Sequence, residues 1–505
     1  MSNKQVPNKI ILINPKTGID VGASLSPPHG LLSIAAELVD DFEVKIIDQR
    51  VDKNWKSALN KEMEGVLCVG ITSMCGNQIK YGLDASKLVK NKDMSIPILW
   101  GGMHPTFFPQ QTLKNPFIDF VIKGDGELTV YDLAMSLKNK KTSVSDLKKI
   151  KGISFKKNKK IFHNPDRAFF DLNKTKPTPW HLIDVENYIH KNMFIKGSKR
   201  ELDVGITSRG CPFNCGFCPV TTFHKRKWRA MSAEKSAKRI IDAVKKFNLD
   251  GVWLRDDEFF LDVKRVQRIA ELIIKAKINI KWYTSGIRID TYNRMTDQQI
   301  KILKKSGCEI LRFGVETGSA RLLKLINKRI TFAEVFKANK RAKKFGMTPY
   351  YSFMVGLPTE TVNETIKTVA LANRLKRQNP HAKIVEFTMF IPIPGSPLFD
   401  MAVKMGLKVP KKLEEWSIVD HFNSVTKVSD APYLSKKDIP VMKNIINTST
   451  IVSDMVWDVL PVSYKIILFP MKKWAEFRWK NYLFKFMPEI NLWTYMSDKF
   501  LKWIS

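Results

Sequence analysis

Cysteine is scarce: six in 505 residues exclude a disulfide-stapled scaffold and make a reducing, cytoplasmic setting the expectation. No stretch approaches the roughly 18 consecutive apolar residues of a membrane-spanning helix. The opening MSNKQVPNKIILINP lacks an apolar signal region and a small-residue cleavage site, so no secretory leader is expected. No GxGxxG follows the first strand-like run, which disfavours a dinucleotide site, and no short-period repeat is present. Acid is also short, with 49 Asp and Glu against 84 Lys and Arg, a formal charge of +35. That excess admits an anionic membrane surface, nucleic acid or a merely lysine-rich exterior, and because it is spread along the whole chain it does not choose among them.

What is present is a globular composition, 44% hydrophobic and 26% charged, in a chain long enough for two or three domains. KIILI, FEVKII, GVLCVGITSM, PILWGG and FIDFVIK alternate with helix-like stretches, the period of a parallel sheet covered on both faces. One doubly wound domain is therefore expected over residues 1–145. A hairpin and Pro-containing linker are expected over 146–198. A second βα series then runs through six strand-like segments, which predicts a six-unit partial barrel over 199–405 rather than a full eight-fold one. Beyond it, 406–505 reads as a helical, basic and aromatic region.

Half of the cysteines fall within eight residues, CPFNCGFC, as Cys211, Cys215 and Cys218. Three thiolates this close suit a metal centre. A zinc site normally has four ligands in two separated pairs, and no second pair exists here. A [4Fe–4S] cluster held by three cysteines leaves one iron open to another ligand. Cys68, Cys75 and Cys308 read as small buried thiols.

CPFNCGFC at the head of a βα series resembles the signature of the radical S-adenosylmethionine (SAM) enzymes. The resemblance implies that the open iron binds SAM and that an electron from the cluster cleaves it to a 5′-deoxyadenosyl radical. It places Phe217 near the adenine, Glu316 of LRFGVETGS at the ribose, and Gly356 and Pro358 of FMVGLPTET along the SAM backbone contacts. LRDDEFF falls on the second-strand SAM segment without its Gly-Gly-Glu form. Asp257 is the contact expected there, beside Asp256 and Glu258. Arg288 and Arg312 are left between the SAM carboxylate and local acids.

At the carboxyl ends of the first domain's strands stand Thr72 and Ser73, then Gly101, Gly102 and His104, then Gly124 and Gly126, an edge where open α/β sheets bind ligands. PPHGLLSIAAEL, GGMHPTFFP and FVIKGDGE resemble the flavodoxin-like domain of cobalamin-binding radical SAM enzymes. That resemblance implies a corrinoid between the sheet edge and the barrel mouth. NPKTGIDVG lacks the Asp-x-His-x-x-Gly by which some relatives ligate cobalt, so cobalt unligated by that motif is expected, with His104 and His29 as candidate contacts. The family commonly methylates unactivated carbons, and some members close rings. C-methylation of a hydrophobic, lipid- or isoprenoid-like substrate is the leading expectation. Cyclisation of a lipid or tetrapyrrole is the alternative, and a non-catalytic corrinoid- or RNA-binding protein the reading from another class. An electron donor such as flavodoxin or ferredoxin is implied.

The tail, YKIILFPMKKWAEFRWKNYLFKFMPEINLWTYMSDKFLKWIS, alternates rings with Lys and Arg and is expected to form short amphipathic helices broken by Pro470 and Pro488. Such helices suit a cap over the barrel, an anionic bilayer interface or stacking on RNA. No nucleic acid partner is expected, and localisation is cytoplasmic with a peripheral membrane option.

Overall fold

The computed structural model describes residues 7–18, 20, 25–418, 431–460, 462–487 and 489. The chain divides into two units, one comprising Met1–Tyr188 with Val409–Phe422, the other Ile189–Lys408 with Asn423–Ser505.

In the first unit the strands are β1 (Lys9–Asn14), β2 (Glu43–Asp48), β3 (Val66–Thr72), β4 (Ile98–Gly101), β5 (Phe120–Ile122), β6 (Ile153–Lys157) and β7 (Lys160–His163), in the order β2-β1-β3-β4-β5-β6-β7. The first five pair in parallel, with Ile11 opposite both Lys45 and Val69. Ile10, Leu12, Cys68, Leu99 and Ile122 are buried between this sheet and the helices His29–Leu38 and Glu127–Lys138, which explains the near-continuous apolar strands. The order reverses between β1 and β3, so the carboxyl ends of those strands form the switch edge.

Two departures from the expected boundaries follow from pairing and burial. The β6–β7 hairpin does not stand apart in the linker: β6 pairs antiparallel with β5, and Asn158 and Lys159, both at positive φ, make the tight turn that a right-twisted hairpin favours. Residues 409–418, assigned by sequence to the C-terminal region, pack instead on this first unit. Trp416 is 1% exposed, its Nε1 donates to Gln111 at 2.8 Å, and its carbonyl accepts from Gly76 N at 3.1 Å. Asn115 Nδ2 donates to Glu414 at 2.6 Å.

The second unit has six parallel strands, β8 (Glu201–Asp203), β11 (Gly251–Leu254), β12 (Lys281–Thr284), β13 (Ile310–Glu316), β14 (Thr348–Val355) and β15 (Lys383–Met389). They pair as β12-β11-β8 and β13-β14-β15, while β9 (Ser208–Arg209) and β10 (Arg229–Ala230) form a small antiparallel ribbon. Thr361 and Glu364 form a capping box at the helix after β14, a start signal legible as TETVNE.

Helices Ile439–Val452 and Asp454–Val459 cover the outer edge of β15, where Phe387 N donates to Ser449 Oγ and Ser453 Oγ donates to the Val385 carbonyl. Pro470 does not break the tail. It lies inside one helix, Val462–Asn481, which continues because Leu468, Ala475 and Trp479 anchor it on both sides of the proline. The carbonyl left without its donor belongs to Ile466, which is exposed and can be solvated. Pro488 lies outside the described residues.

Candidate active site

The three cysteines sit on the loop between β9 and the short helix Val220–Phe223. Gly210 has φ +81°, and a Cβ there would collide with the Lys227 carbonyl, so the loop's entry requires glycine. Gly216 is pinned on both sides: its N–H donates to the Ile326 carbonyl at 2.8 Å and its own carbonyl accepts from Leu398 N at 2.9 Å. Cys215 is buried, Cys211 and Cys218 half-buried. The thiols feel one another electrostatically, but burial is the larger effect, raising Cys211 to about 12 and Cys218 to about 11. Among the described residues no three His, Cys, Asp or Glu side chains converge on a single-ion position. A cubane does not ask for that, since each thiolate takes a different iron. Three neighbouring thiols on a backbone-pinned loop therefore fit a cluster.

The acidic run after β11 splits into three roles. Asp256 is fully buried and accepts from Thr207 N at 3.0 Å, Thr207 Oγ1 at 2.8 Å and Ser208 Oγ at 2.6 Å, which fixes the ribbon before the loop. Asp257, the expected SAM contact, accepts from Gly210 N at 2.7 Å, so its carboxylate is engaged by the motif's own backbone. Glu258 differs: it is 4% exposed, burial raises it to about 7, and its Oε1 has no hydrogen-bond partner. An orphaned buried carboxylate oxygen costs stability unless a ligand completes it.

Arg288 has a fixed guanidinium. Nε donates to Asp290 at 2.9 Å, Nη2 to the Lys328 carbonyl at 3.0 Å, Nη1 lies 3.9 Å from Cys215 Sγ, and the plane stacks 3.7 Å from the Phe213 ring. Lys328 Nζ pairs with Glu316 Oε1 at 2.7 Å and stands 5.4 Å from the Phe217 ring. Glu316 itself is held at φ +73°, a strained conformation for a non-glycine residue at the end of β13. Gly356 has φ +81°, and the buried Glu360 accepts from Gly356 N at 2.7 Å and Leu357 N at 2.9 Å. Arg312 is four residues below Glu316 on the same strand, about 13 Å at normal strand rise. Sequence reasoning missed Lys328, which no motif marks; Glu258 was visible only as the third acid of a run.

At the switch edge of the first unit, Ser73 is fully buried and Thr72, Gly101, Gly102, Gly124 and Gly126 are half-buried. Gly102 has φ +102°, and a Cβ there would sit 2.6 Å from the Ser73 carbonyl, so it joins two strand ends. Gly124 N donates to Thr106 Oγ1, and a Cβ on Gly124 would meet nothing within 4 Å, leaving room for a ligand to approach the backbone. His104 is 1% exposed, with Nδ1 3.4 Å from Cys75 Sγ and its ring centroid 5.2 Å from Trp416 and 5.3 Å from Phe108. His29 packs edge-on against Trp180. The edge thus supplies an open glycine backbone that fits a bulky ligand, with His104 enclosed by Cys75, Phe108 and Trp416.

Burial holds His104 neutral, lowering it from the ordinary 6.5 to about 4. A histidine depressed in the folded state stabilises fully above pH 6.5 and loses that contribution as pH falls towards 4, because the unfolded chain takes up the proton first. The loss at pH 4 is on the order of 3 kcal/mol. Hydrogen exchange over residues 98–108, corrected for intrinsic rate, should accelerate between pH 7 and 4.5 in the native chain and much less in His104→Gln.

The chain matches the radical SAM superfamily over residues 206–372 and the B12 binding domain over residues 15–134. It is 30% identical over 442 residues to an uncharacterized methyltransferase of Pyrococcus horikoshii, covering 85% of this chain and 92% of that protein. It is 26% identical to the anaerobic magnesium-protoporphyrin IX monomethyl ester cyclase of Rubrivivax gelatinosus, over 64% of this chain and 56% of the other. Hopanoid C-3 methylase of Methylococcus capsulatus is 23% identical over 64% and 59%. Among solved structures, the cobalamin-dependent SAM radical enzyme OxsB superposes with a TM-score of 0.66 at 19% identity, over 98% of this chain and 75% of that one. The radical SAM methyltransferase TsrM from Kitasatospora setae gives 0.63 at 15% identity, over 80% and 79%. The likeness to these two structures is one of fold.

Proposed function

The chain belongs to the cobalamin-binding radical SAM enzymes, and from that premise we propose that it methylates an unactivated carbon of a hydrophobic, lipid-like substrate. The observation that carries the chemistry is the pinned loop of Cys211, Cys215 and Cys218 beside a buried, incompletely bonded Glu258. Residues 1–145 are assigned to cobalamin, with 409–418 packed on them, and 199–405 to the cluster and SAM. The tail within 406–505 serves substrate and membrane contact, and 146–198 join the first two. The bound cofactors supply a hydrogen-abstracting radical and a methyl donor. The chain's own residues bind and orient. The three cysteines hold iron, Glu258 accepts the SAM ammonium, and Arg288 fixes the loop at Cys215. Phe217 packs on the adenine, the Glu316–Lys328 pair meets the ribose, and Glu360 and Asp257 hold the Gly356 and Gly210 turns. In the first unit Thr72, Ser73, Gly101, Gly102, Gly124 and Gly126 frame the corrinoid, with His104 as a wall rather than a cobalt ligand. An acidic flavodoxin or ferredoxin suits the +35 charge as electron donor. Anaerobic reconstitution with SAM and reductant should yield 5′-deoxyadenosine; its absence would remove the radical reading.

The lipid part rests on the tail helix. One face packs through Leu468, Ala475 and Trp479. The opposite face leaves Val462, Ile466, Phe469 and Phe477 exposed by 72, 70, 54 and 49%, beside the exposed Lys473 and Lys480. Apolar rings flanked by lysines fit an anionic bilayer interface. Among the described residues no helix is long and apolar enough to cross a membrane. The full chain should co-sediment with anionic liposomes, and Ile466→Glu with Phe477→Glu should weaken this by about tenfold or more, since each removes a buried apolar side chain from the interface. Unchanged binding of the double variant would overturn the membrane assignment.

A further inference from the structure

We infer that the six-strand unit holds, below the cysteine loop, a subsite for an anionic oxygen group, phosphate or carboxylate, carried by the substrate. This deepens the proposed function and rests on that unit being where substrate binds.

The third residues of four successive strands are Trp253 of β11, Tyr283 of β12, Arg312 of β13 and Tyr350 of β14. Trp253 is in register with Tyr283, and Arg312 with Tyr350, so each pair stands level across its own sheet. Phe194 lies against this layer: its ring centroid is 5.0 Å from Trp253, 5.2 Å from Tyr283 and 5.6 Å from the Arg312 guanidinium. Along β13, Arg312 and Gly314 are half-buried while Leu311, Phe313 and Val315 are buried; along β14, Ser352 and Met354 are half-buried between buried Tyr351, Phe353 and Val355. One face of these strands is therefore packed against helices and the other borders accessible space.

Donors and acceptors in this layer do not balance. Among the described residues, the carboxylates near this layer, Glu201 and Asp203, are already occupied. Glu201 accepts from Phe194 N, Ile195 N, Ser198 Oγ and, at 3.2 Å, the Tyr283 hydroxyl. Asp203 is paired with Arg255 at 2.5 Å. Two donors remain. The Trp253 Nε1 hydrogen is buried without an acceptor, and among the described residues the Arg312 guanidinium makes no ion pair or hydrogen bond; it lies against the Phe194 ring. A guanidinium presents a planar fork matched to carboxylate or phosphate, and an unused indole N–H beside the same ring supplies a third donor.

Above Arg312 on the same strand come Gly314 and then Glu316. A Cβ on Gly314 would collide with Glu316 Oε1 and sit 3.1 Å from Lys328 Nζ, so only glycine leaves room for that pair above Arg312. The row of half-buried positions thus runs from a cationic floor at Arg312, past Gly314 and Met354, to the Glu316–Lys328 pair, about 13 Å along the strand. It fits an amphiphile whose anionic group is anchored at Arg312 while an apolar part extends towards the cysteine loop.

The test is calorimetric binding to the reconstituted full chain, using octyl phosphate, octanoate, octanol and inorganic phosphate as probes. Arg312→Gln should weaken octyl phosphate by about tenfold or more, the usual scale for a lost charge-assisted contact. Arg312→Lys should recover part of the loss, and Trp253→Phe should lose about two- to fivefold. Octanol should bind native and variant chains alike, and inorganic phosphate should bind more weakly than octyl phosphate. Octyl phosphate binding within twofold in Arg312→Gln, or an equal loss for octanol, overturns the subsite. Inorganic phosphate binding as tightly as octyl phosphate overturns the amphiphile. The radical reading is judged separately, by 5′-deoxyadenosine from the native enzyme, so either can fail while the other stands.

Discussion

Replacing Cys211, Cys215 or Cys218 with alanine is expected to reduce 5′-deoxyadenosine formation to background and to strip the chain of iron, from about four atoms in the reconstituted enzyme. The three thiols have no substitute. Cys68 and Cys308 are fully buried in strands or turns elsewhere, and Cys75 is engaged with His104. A lost ligand therefore cannot be replaced by a neighbouring sulfur. The fold should survive, because the loop is held by Gly216 backbone bonds and by Asp256 and Asp257 rather than by the thiols. Circular dichroism unchanged from native, with iron and turnover both gone, is the expected pattern. Cys68→Ala and Cys308→Ala should keep their iron. Retention of 5′-deoxyadenosine by Cys211→Ala would contradict the assignment.

The second large effect belongs to Glu258. Its Oε1 is the one carboxylate oxygen beside the cysteine loop that is buried and unbonded among the described residues, whereas Asp256 and Asp257 are consumed in holding backbone. Glu258→Gln keeps shape and removes charge, so SAM affinity should fall by about 10- to 100-fold, the range for a hydrogen bond to a charged group. Iron content should be unchanged. Asp256→Asn should behave differently, lowering thermal stability by loosening Thr207 and Ser208. Equilibrium dialysis of SAM against the reconstituted variants separates the two. Native affinity in Glu258→Gln would move the ammonium contact elsewhere.

Much of this was legible because local signals and tertiary demands agreed. The alternating apolar runs of the first unit become parallel strands buried on both faces, and the six strand-like segments after Leu202 become β8 and β11 to β15. CPFNCGFC announces its loop because Gly210 and Gly216 are required by geometry as well as by pattern. The remainder depends on contacts between residues far apart in the chain. Trp416 reads as part of a tail, yet its burial beside His104 and Gln111 is decided by a surface some 300 positions earlier. Lys328 sits in the undistinguished INKRI, and only the fold brings it to Glu316. Pro470 is a helix breaker by rule, overridden by anchoring on either side. Arg312 stood between two roles in the sequence; its level on β13 separates it from the loop where Arg288 remains.

Methyl transfer to a carbon of a hydrophobic substrate can be read directly by mass spectrometry. Lipid extracts from cells lacking this gene would be incubated anaerobically with the reconstituted enzyme, reductant and SAM carrying a deuterated methyl group. Methyl transfer should give 5′-deoxyadenosine together with a lipid heavier by one labelled methyl in place of hydrogen. A product lighter by hydrogens and free of label would show ring closure instead, and would contradict it.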